Sequence, residues 1–331
     1  MTQPIILTGD RPTGCLHLGH YVGSLLNRVK LQQEYKQYIM IADLQALTDH
    51  AEEPNKIFHY VVEVAKDYLS VGIDPNLTTI LIQSKITELS ELTIYLMNLI
   101  SVSRLSRNPT VKNEIAQKGY TNHIPVGFFC YPISQAADIL AFKATIIPVG
   151  EDQLPMIELS NEVARKFNST YNSSCLLESK ALLSKSSRLI GTDGQNKASK
   201  SLQNTIFLSD SIDIIKSKVF SMYTDPNHIH SSDPGNVQGN VVFSYLDAFY
   251  HDEEELQALK SHYERGGLGD MMIKNILFNT LVKLLSPIQE KRSTLKTCDI
   301  TEMLMVGTAD AQKHVRQTMM EVRDAIGLSY W

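Results

Sequence analysis

The first half of the chain is punctuated by short, unbroken apolar runs: Ile5-Ile6-Leu7, Tyr38-Ile39-Met40-Ile41-Ala42, Thr79-Ile80-Leu81-Ile82 and Ile146-Ile147-Pro148-Val149. Each has the length of a strand buried on both faces. Arg188-Leu189-Ile190 reads as a last, shorter member. Between the second and third runs the rhythm changes. Ile57, Val61, Val64, Ala65 and Tyr68 recur at helical intervals, with Pro54 suited to the first turn and Gly72 to the stop. Strands that alternate with helices, without hairpin signals, predict an α/β fold with a doubly wound parallel sheet. Its ligand crevice lies at the carboxyl ends of the strands.

Leu89, Leu92, Leu96 and Leu99 then form a helical stripe, followed by Arg104, Arg107 and Lys112, and predict a helical insertion at about residues 84–130. Pro132 and Ser134 are placed to start the next helix, which carries Gln135 and Asp138 on one face beside Ala136 and Ala137. Beyond Ser209 only helical spacing is found. Asp270 opens a helix with Ile273, Leu277, Leu281 and Leu284 that is expected to end at Ser286-Pro287. Ala311, Val315, Met319, Val322 and Ile326 mark another, stopped by Gly327. Residues 263–269, YERGGLG, read as a flexible connection. The boundary expected from this change of rhythm separates residues 1–205 from a helical part, 206–331, whose last helix is a candidate to pack back on the sheet.

Composition alters this picture little. A 331-residue chain with 43% hydrophobic and 20% charged residues has ample core, and nothing marks it as fibrous or disordered. No apolar run of bilayer-spanning length stands out, and the N-terminus lacks a signal-peptide pattern, so no membrane role and a cytoplasmic place are expected. Cys15, Cys130, Cys175 and Cys298 are scattered, which favours reduced, mostly buried thiols over a disulfide framework or a protein metal site. The net charge of −5 means that a nucleic acid would be met by a local patch. Lys283, Lys291, Arg292, Lys296, Lys313 and Arg316 are the available reserve.

The chemistry concentrates in two loops. Residues 8–24, TGDRPTGCLHLGHYVGS, read as a strand end, a tight turn and a helix N-terminus, with free amides and the positive dipole end facing outward as an anion site. His17 and His20 share a face of that helix, and Gly19 and Gly23 leave it bare enough for a flat base. Residues 197–201, KASKS, sit in a glycine-containing loop where Lys197 and Lys200 are suited to phosphate oxygens that gain charge. Alone, each motif is weak: HxxH pairs occur by chance and lysine loops are ordinarily just solvated.

Together, HLGH after the first strand and KASKS near the end of the sheet resemble the HIGH and KMSKS signatures of class I aminoacyl-tRNA synthetases, with Ala198 in place of the usual Met. Adding PTG, YP-x-x-x-AADIL and PVGEDQ in that order, the chain resembles the bacterial tryptophanyl-tRNA synthetase family over essentially its full length. The resemblance implies ATP-dependent formation of tryptophanyl-adenylate and transfer to tRNA(Trp). It implies Mg²⁺ brought with ATP, L-tryptophan as substrate, a homodimer, and an anticodon-reading role for the helical part. His17, His20, Lys197 and Lys200 would carry catalysis. Arg11, Thr13, Gly19, His20, Lys112, Gly150, Asp152, Lys197, Ser199 and Lys200 would bind ATP. Leu7, Gln45, Tyr131, Gln135, Asp138, Val149 and Gln153 would hold tryptophan, Asp138 taking the indole N–H and Tyr131 with Gln153 the head group. Gln45 and Gln135 make this pocket more polar than the common pattern, and tyrosine is the nearest confusable substrate. A nucleotide-binding paralogue that does not charge tRNA is the alternative. The apolar stretch from Leu92 to Leu99 offers a candidate dimer interface.

Overall fold

The computed structural model describes residues 3–120, 123–183, 189–200 and 202–330. Five parallel strands, β1 (Ile5–Asp10), β2 (Lys36–Ile41), β3 (Thr78–Ile82), β4 (Ile146–Val149) and β5 (Lys180–Leu183), form one sheet in the order β3-β2-β1-β4-β5. The doubly wound α/β expectation is borne out. The order reverses direction at β1, so the crevice opens between the carboxyl ends of β1 and β4.

The last strand is not the one expected. β5 precedes the predicted run, and Ile190 makes only an isolated antiparallel bridge with Lys197. Arg188 lies outside the described residues, as do Ser201 of KASKS and residues 121–122 of the loop before Gly127. Two prolines predicted to bound helices lie inside them. Pro132 sits within the helix Val126–Ala141 and Pro287 within Asp270–Thr294. In the second case burial outweighs the lost backbone hydrogen bond. Leu285 and Ile288 on either side of Pro287 are buried, and Arg292, one turn on, donates to Asp67 at 2.8 Å and also pairs with Glu63. That helix is long and apolar enough to cross a membrane by length and composition, yet Ile273, Leu277 and Leu281 are buried in the core.

The final helix, Thr297–Ile326, extends further toward the N-terminus than its apolar stripe suggested and ends on Gly327 in the left-handed conformation. It lies along β3. Thr308 Oγ1 accepts the Ile82 amide at 3.1 Å, and Gly307 lets the helix approach so closely that an added Cβ would sit 2.3 Å from the Ile80 carbonyl oxygen. No rotamer relieves a clash with backbone. Gly307→Ala should therefore lower stability by about 1–3 kcal/mol despite alanine's better helix propensity, read as a lower Tm in thermal unfolding.

Other expectations are corrected by packing. The 263–269 segment begins in the core: Tyr263 is fully buried and donates to Asp270 at 2.7 Å, and Gly266 (φ 84°) abuts the Ser232 carbonyl. Leu92, Leu96 and Leu99 face the interior, and Ile94, Met97 and Val102 are the exposed apolar side chains there. Of the four thiols only Cys175 is buried.

Candidate functional site

A cleft of about 1720 Å³ opens at the carboxyl ends of β1 and β4. Every candidate residue named from the sequence except Lys112 lies on its wall: Leu7, Arg11 and Thr13 from β1 and its turn; His17, Gly19 and His20 from the first helix; Gln45; Tyr131, Gln135 and Asp138; Val149, Gly150, Asp152 and Gln153; and Lys197, Ser199 and Lys200. Lys112 is exposed and off the wall, whereas Glu114 and Lys118 of the same segment reach it.

The first helix is capped by its own histidines. His17 Nδ1 accepts the Gly19 amide at 3.0 Å, and His20 Nδ1 accepts the His17 amide at 3.3 Å. The Leu18 amide donates to the Ile206 carbonyl at 3.0 Å. The expected free amides are therefore already engaged, and the donors left at this end are on the imidazoles. With Nδ1 accepting, each neutral ring carries its proton on Nε2. Burial, reinforced by His20, Lys200 and Lys197, pushes His17 down to about 2; burial takes His20 down to about 4 against the Asp10 carboxylate. Both rings are neutral at physiological pH, and each has an Nε2–H to offer that needs no further protonation.

Behind them Asp10 accepts from Arg28 Nη1 and from the Tyr68 hydroxyl, each at 2.6 Å. Burial raises this carboxyl, but the Arg28 charge and the hydrogen bonds from Arg28 and Tyr68 prevail and hold it well below the ordinary range.

The KASKS loop is organised by Asn204, a residue that belongs to none of the motifs. Its Oδ1 accepts the Ser199 amide at 2.9 Å, and its Nδ2 donates to Asp193 at 3.0 Å and to the Lys197 carbonyl at 3.4 Å. Gly191 makes room for it, since a Cβ there would lie 2.1 Å from Asn204 Nδ2. Ala198 is buried against the HLGH helix, 3.8 Å from where a Gly19 Cβ would stand. Lys200 reaches across to donate to the Gly14 carbonyl at 2.7 Å, and burial lowers its ammonium. Four contacts thus join the HLGH turn to the KASKS loop and the segment after it: His17 with Phe207, Leu18 with Ile206, Gly19 with Ala198, and Gly14 with Lys200.

At the other end of the cleft lies Asp138, buried in the helix Val126–Ala141. Its Oδ2 accepts from Gln83 Nε2 at 2.8 Å and Gln45 Nε2 at 3.0 Å, while its Oδ1 is buried with no partner. Neither local capping nor Gln135 satisfies it. Burial, opposed by the Gln83 donor and aided by the Asp43 carboxylate, lifts it to about 7. Nearby, the Tyr131 hydroxyl is also buried, with the Glu114 carboxylate beside it.

Of the cationic reserve expected for nucleic acid, two members are engaged. Arg292 pairs with Asp67 and Glu63, and Arg316 with Glu88 at 2.7 Å. Lys283, Lys291, Lys296 and Lys313 are exposed.

Residues 1–286 match the family described as tRNA synthetases class I (W and Y). The chain is 55% identical over 338 residues to a tryptophan–tRNA ligase of Clostridium longisporum, covering 100% of this chain and 99% of that one. It is 54% identical to one of Streptococcus pyogenes serotype M3, with both chains fully covered. The crystal structure of tryptophanyl-tRNA synthetase from Campylobacter jejuni complexed with ADP and tryptophan superposes with a TM-score of 0.87 at 31% identity, covering 98% of this chain and 100% of that one.

Proposed function

The chain belongs to the class I tRNA synthetases for tryptophan and tyrosine, and from its cleft we infer how it carries out the charging of tRNA with tryptophan. Tryptophan's carboxylate, already ionised, attacks the α-phosphorus of ATP in line and expels pyrophosphate, so no general base is needed. The terminal ribose hydroxyl of tRNA(Trp) then takes the tryptophanyl group from the adenylate, releasing AMP. Mg²⁺ enters as part of the nucleotide substrate.

The residues divide this work by position. The Nε2–H groups of His17 and His20 donate to triphosphate oxygens, and Gly19 and Gly23 leave the helix flat for adenine; a Cβ on Gly23 would meet no atom within 4 Å, while one on Gly19 would strike the His17 ring. Lys197 and Lys200 neutralise the departing β and γ phosphates, with Arg11, Thr13, Gly150, Asp152 and Ser199 completing the nucleotide wall. Leu7 and Val149 flank the indole, Gln135 lies on the Asp138 face of its helix, and Tyr131 and Gln153 hold the amino-acid head group. The observation that carries the assignment of tryptophan is Asp138: a buried carboxylate oxygen without a partner, on a cleft wall, is an acceptor awaiting an N–H.

The helical part beyond residue 206 is assigned to the anticodon end of the tRNA, supported by exposed Lys283, Lys291 and Lys296. A homodimer formed through the insertion would use Ile94, Met97 and Val102 rather than the buried leucines.

The test of the activation step is exchange of labelled pyrophosphate into ATP with tryptophan, tyrosine, phenylalanine or no amino acid. Exchange with tryptophan alone is expected. Exchange with tyrosine would transfer the pocket to the sister specificity, and silence with all four would make the protein a non-charging paralogue.

A further inference from the structure

Gln83 stands outside the cleft wall and outside every motif discussed above, yet it touches the atom on which indole recognition turns. It begins the short 3-10 turn Gln83–Lys85 at the end of β3 and is almost wholly buried. Its Oε1 accepts the Gln45 backbone amide at 3.3 Å, which leaves Nε2 to point at Asp138 Oδ2, 2.8 Å away. An amide flip would put a carbonyl against a carboxylate and a donor against a donor, so its orientation is fixed. The turn is held on both sides. The Ile82 amide donates to Thr308 of the final helix, and the Ser84 amide and hydroxyl donate to Asp43 at 2.8 and 2.5 Å.

Two amides therefore crowd one oxygen of Asp138 and none meets the other. Gln45 lies on the cleft wall, where a ligand can reach it; Gln83 does not. We propose that Gln83 is a positioning residue for amino-acid selection: it pins Oδ2 of Asp138 so that Oδ1 stays unpaired and presented to the indole N–H.

The proposal rests on the assignment of Asp138 to the indole, and its consequences are distinct from that assignment. Without the Gln83 donor the carboxylate is freer to rotate, so discrimination for an N–H at that point falls. The ionised form also loses a hydrogen bond while the Asp43 carboxylate still faces it, so the carboxyl titrates higher.

The test is Gln83→Met in the full-length protein, assayed by pyrophosphate exchange with tryptophan and with its benzothienyl isostere, in which sulfur replaces the indole N–H. The parent is expected to prefer tryptophan by at least about tenfold, since a site built for a donor penalises its absence. In Gln83→Met that preference should shrink by roughly five- to tenfold, at an unchanged KM for ATP. The pH midpoint of the tryptophan KM should move upward. In an Asp138→Asn background Gln83→Met should add almost nothing, because both act through one contact. Gln83→Asn, whose amide is too short to reach Oδ2, should give the same signs if the methionine variant folds poorly. Equal losses with both ligands and an unmoved pH midpoint would overturn the proposal by showing a merely structural role. A parent indifferent to the N–H would instead overturn the Asp138 assignment, and the proposal with it.

Discussion

Lys200→Ala should slow adenylate formation by about 100- to 1000-fold, the loss expected when one preorganised donor to a developing anion is removed. The geometry explains why the penalty falls on the rate. The ammonium is anchored on the Gly14 carbonyl of the β1 turn at 2.7 Å, beside the His17 and His20 donors, and burial destabilises its charge in the absence of an anion. A triphosphate arriving at this point supplies the missing counter-charge, and the interaction strengthens as the β and γ phosphates gain charge on leaving. Nothing in this arrangement touches Asp138, whose partners are Gln45 and Gln83. Tryptophan affinity, measured by equilibrium dialysis with labelled amino acid, should therefore stay within about twofold of the parent's. An activation rate in Lys200→Ala equal to that of the parent would remove Lys200 from the transition state. A loss confined to tryptophan affinity would mean that the KASKS loop shapes the amino-acid pocket instead.

The strands that hold the site could be read from their apolar runs because they are buried on both faces and leave a continuous signal. β5 was not legible because Lys180–Leu183 is four residues long and bears a lysine at its start, so it leaves no clearer apolar signal than the nearby Leu189-Ile190. Pro132 and Pro287 misled for a related reason. A proline's effect on its own helix is local and visible in sequence, whereas the buried neighbours and the Arg292–Asp67 pair that carry the helix through Pro287 come from distant parts of the chain. In the cleft, the residue types on the wall were legible from motif order. Their arrangement was not: histidines serving as their own helix cap, and Asn204 holding the KASKS loop, are hydrogen-bond choices that no spacing encodes. Gln83 gave no signal because a glutamine after a strand is ordinarily a solvated loop residue, and only the fold brings it to Asp138.

Asp138→Asn should weaken tryptophan selection and strengthen the fold, two effects of opposite sign from one atom change. The asparagine has one acceptor where the carboxylate has two. If its oxygen faces Gln45 and Gln83, its NH₂ confronts the indole N–H; if it is flipped, NH₂ confronts the two glutamine donors. Either way a donor meets a donor, and the lost charge-assisted hydrogen bond should lower kcat/KM for tryptophan by about 10- to 100-fold. The parent should show the same logic in its pH dependence. Its carboxyl, lifted to about 7, is protonated in part of the population at neutral pH, and a proton on Oδ1 also opposes the indole. Tryptophan affinity should thus rise as pH increases toward 7 and level off above it, a slope absent from the variant. Stability runs the other way. The folded-state value lies above the unfolded one of 3.8, so the folded parent binds more protons between these limits and loses stability as pH rises through them. Asp138→Asn escapes that loss. Its Tm relative to the parent's should therefore grow between pH 5 and pH 8, measured by thermal unfolding at fixed ionic strength. An unchanged preference for tryptophan over phenylalanine in the same variant would place indole recognition on another residue, while the pH-dependent gain in Tm would still mark Asp138 as a buried charge.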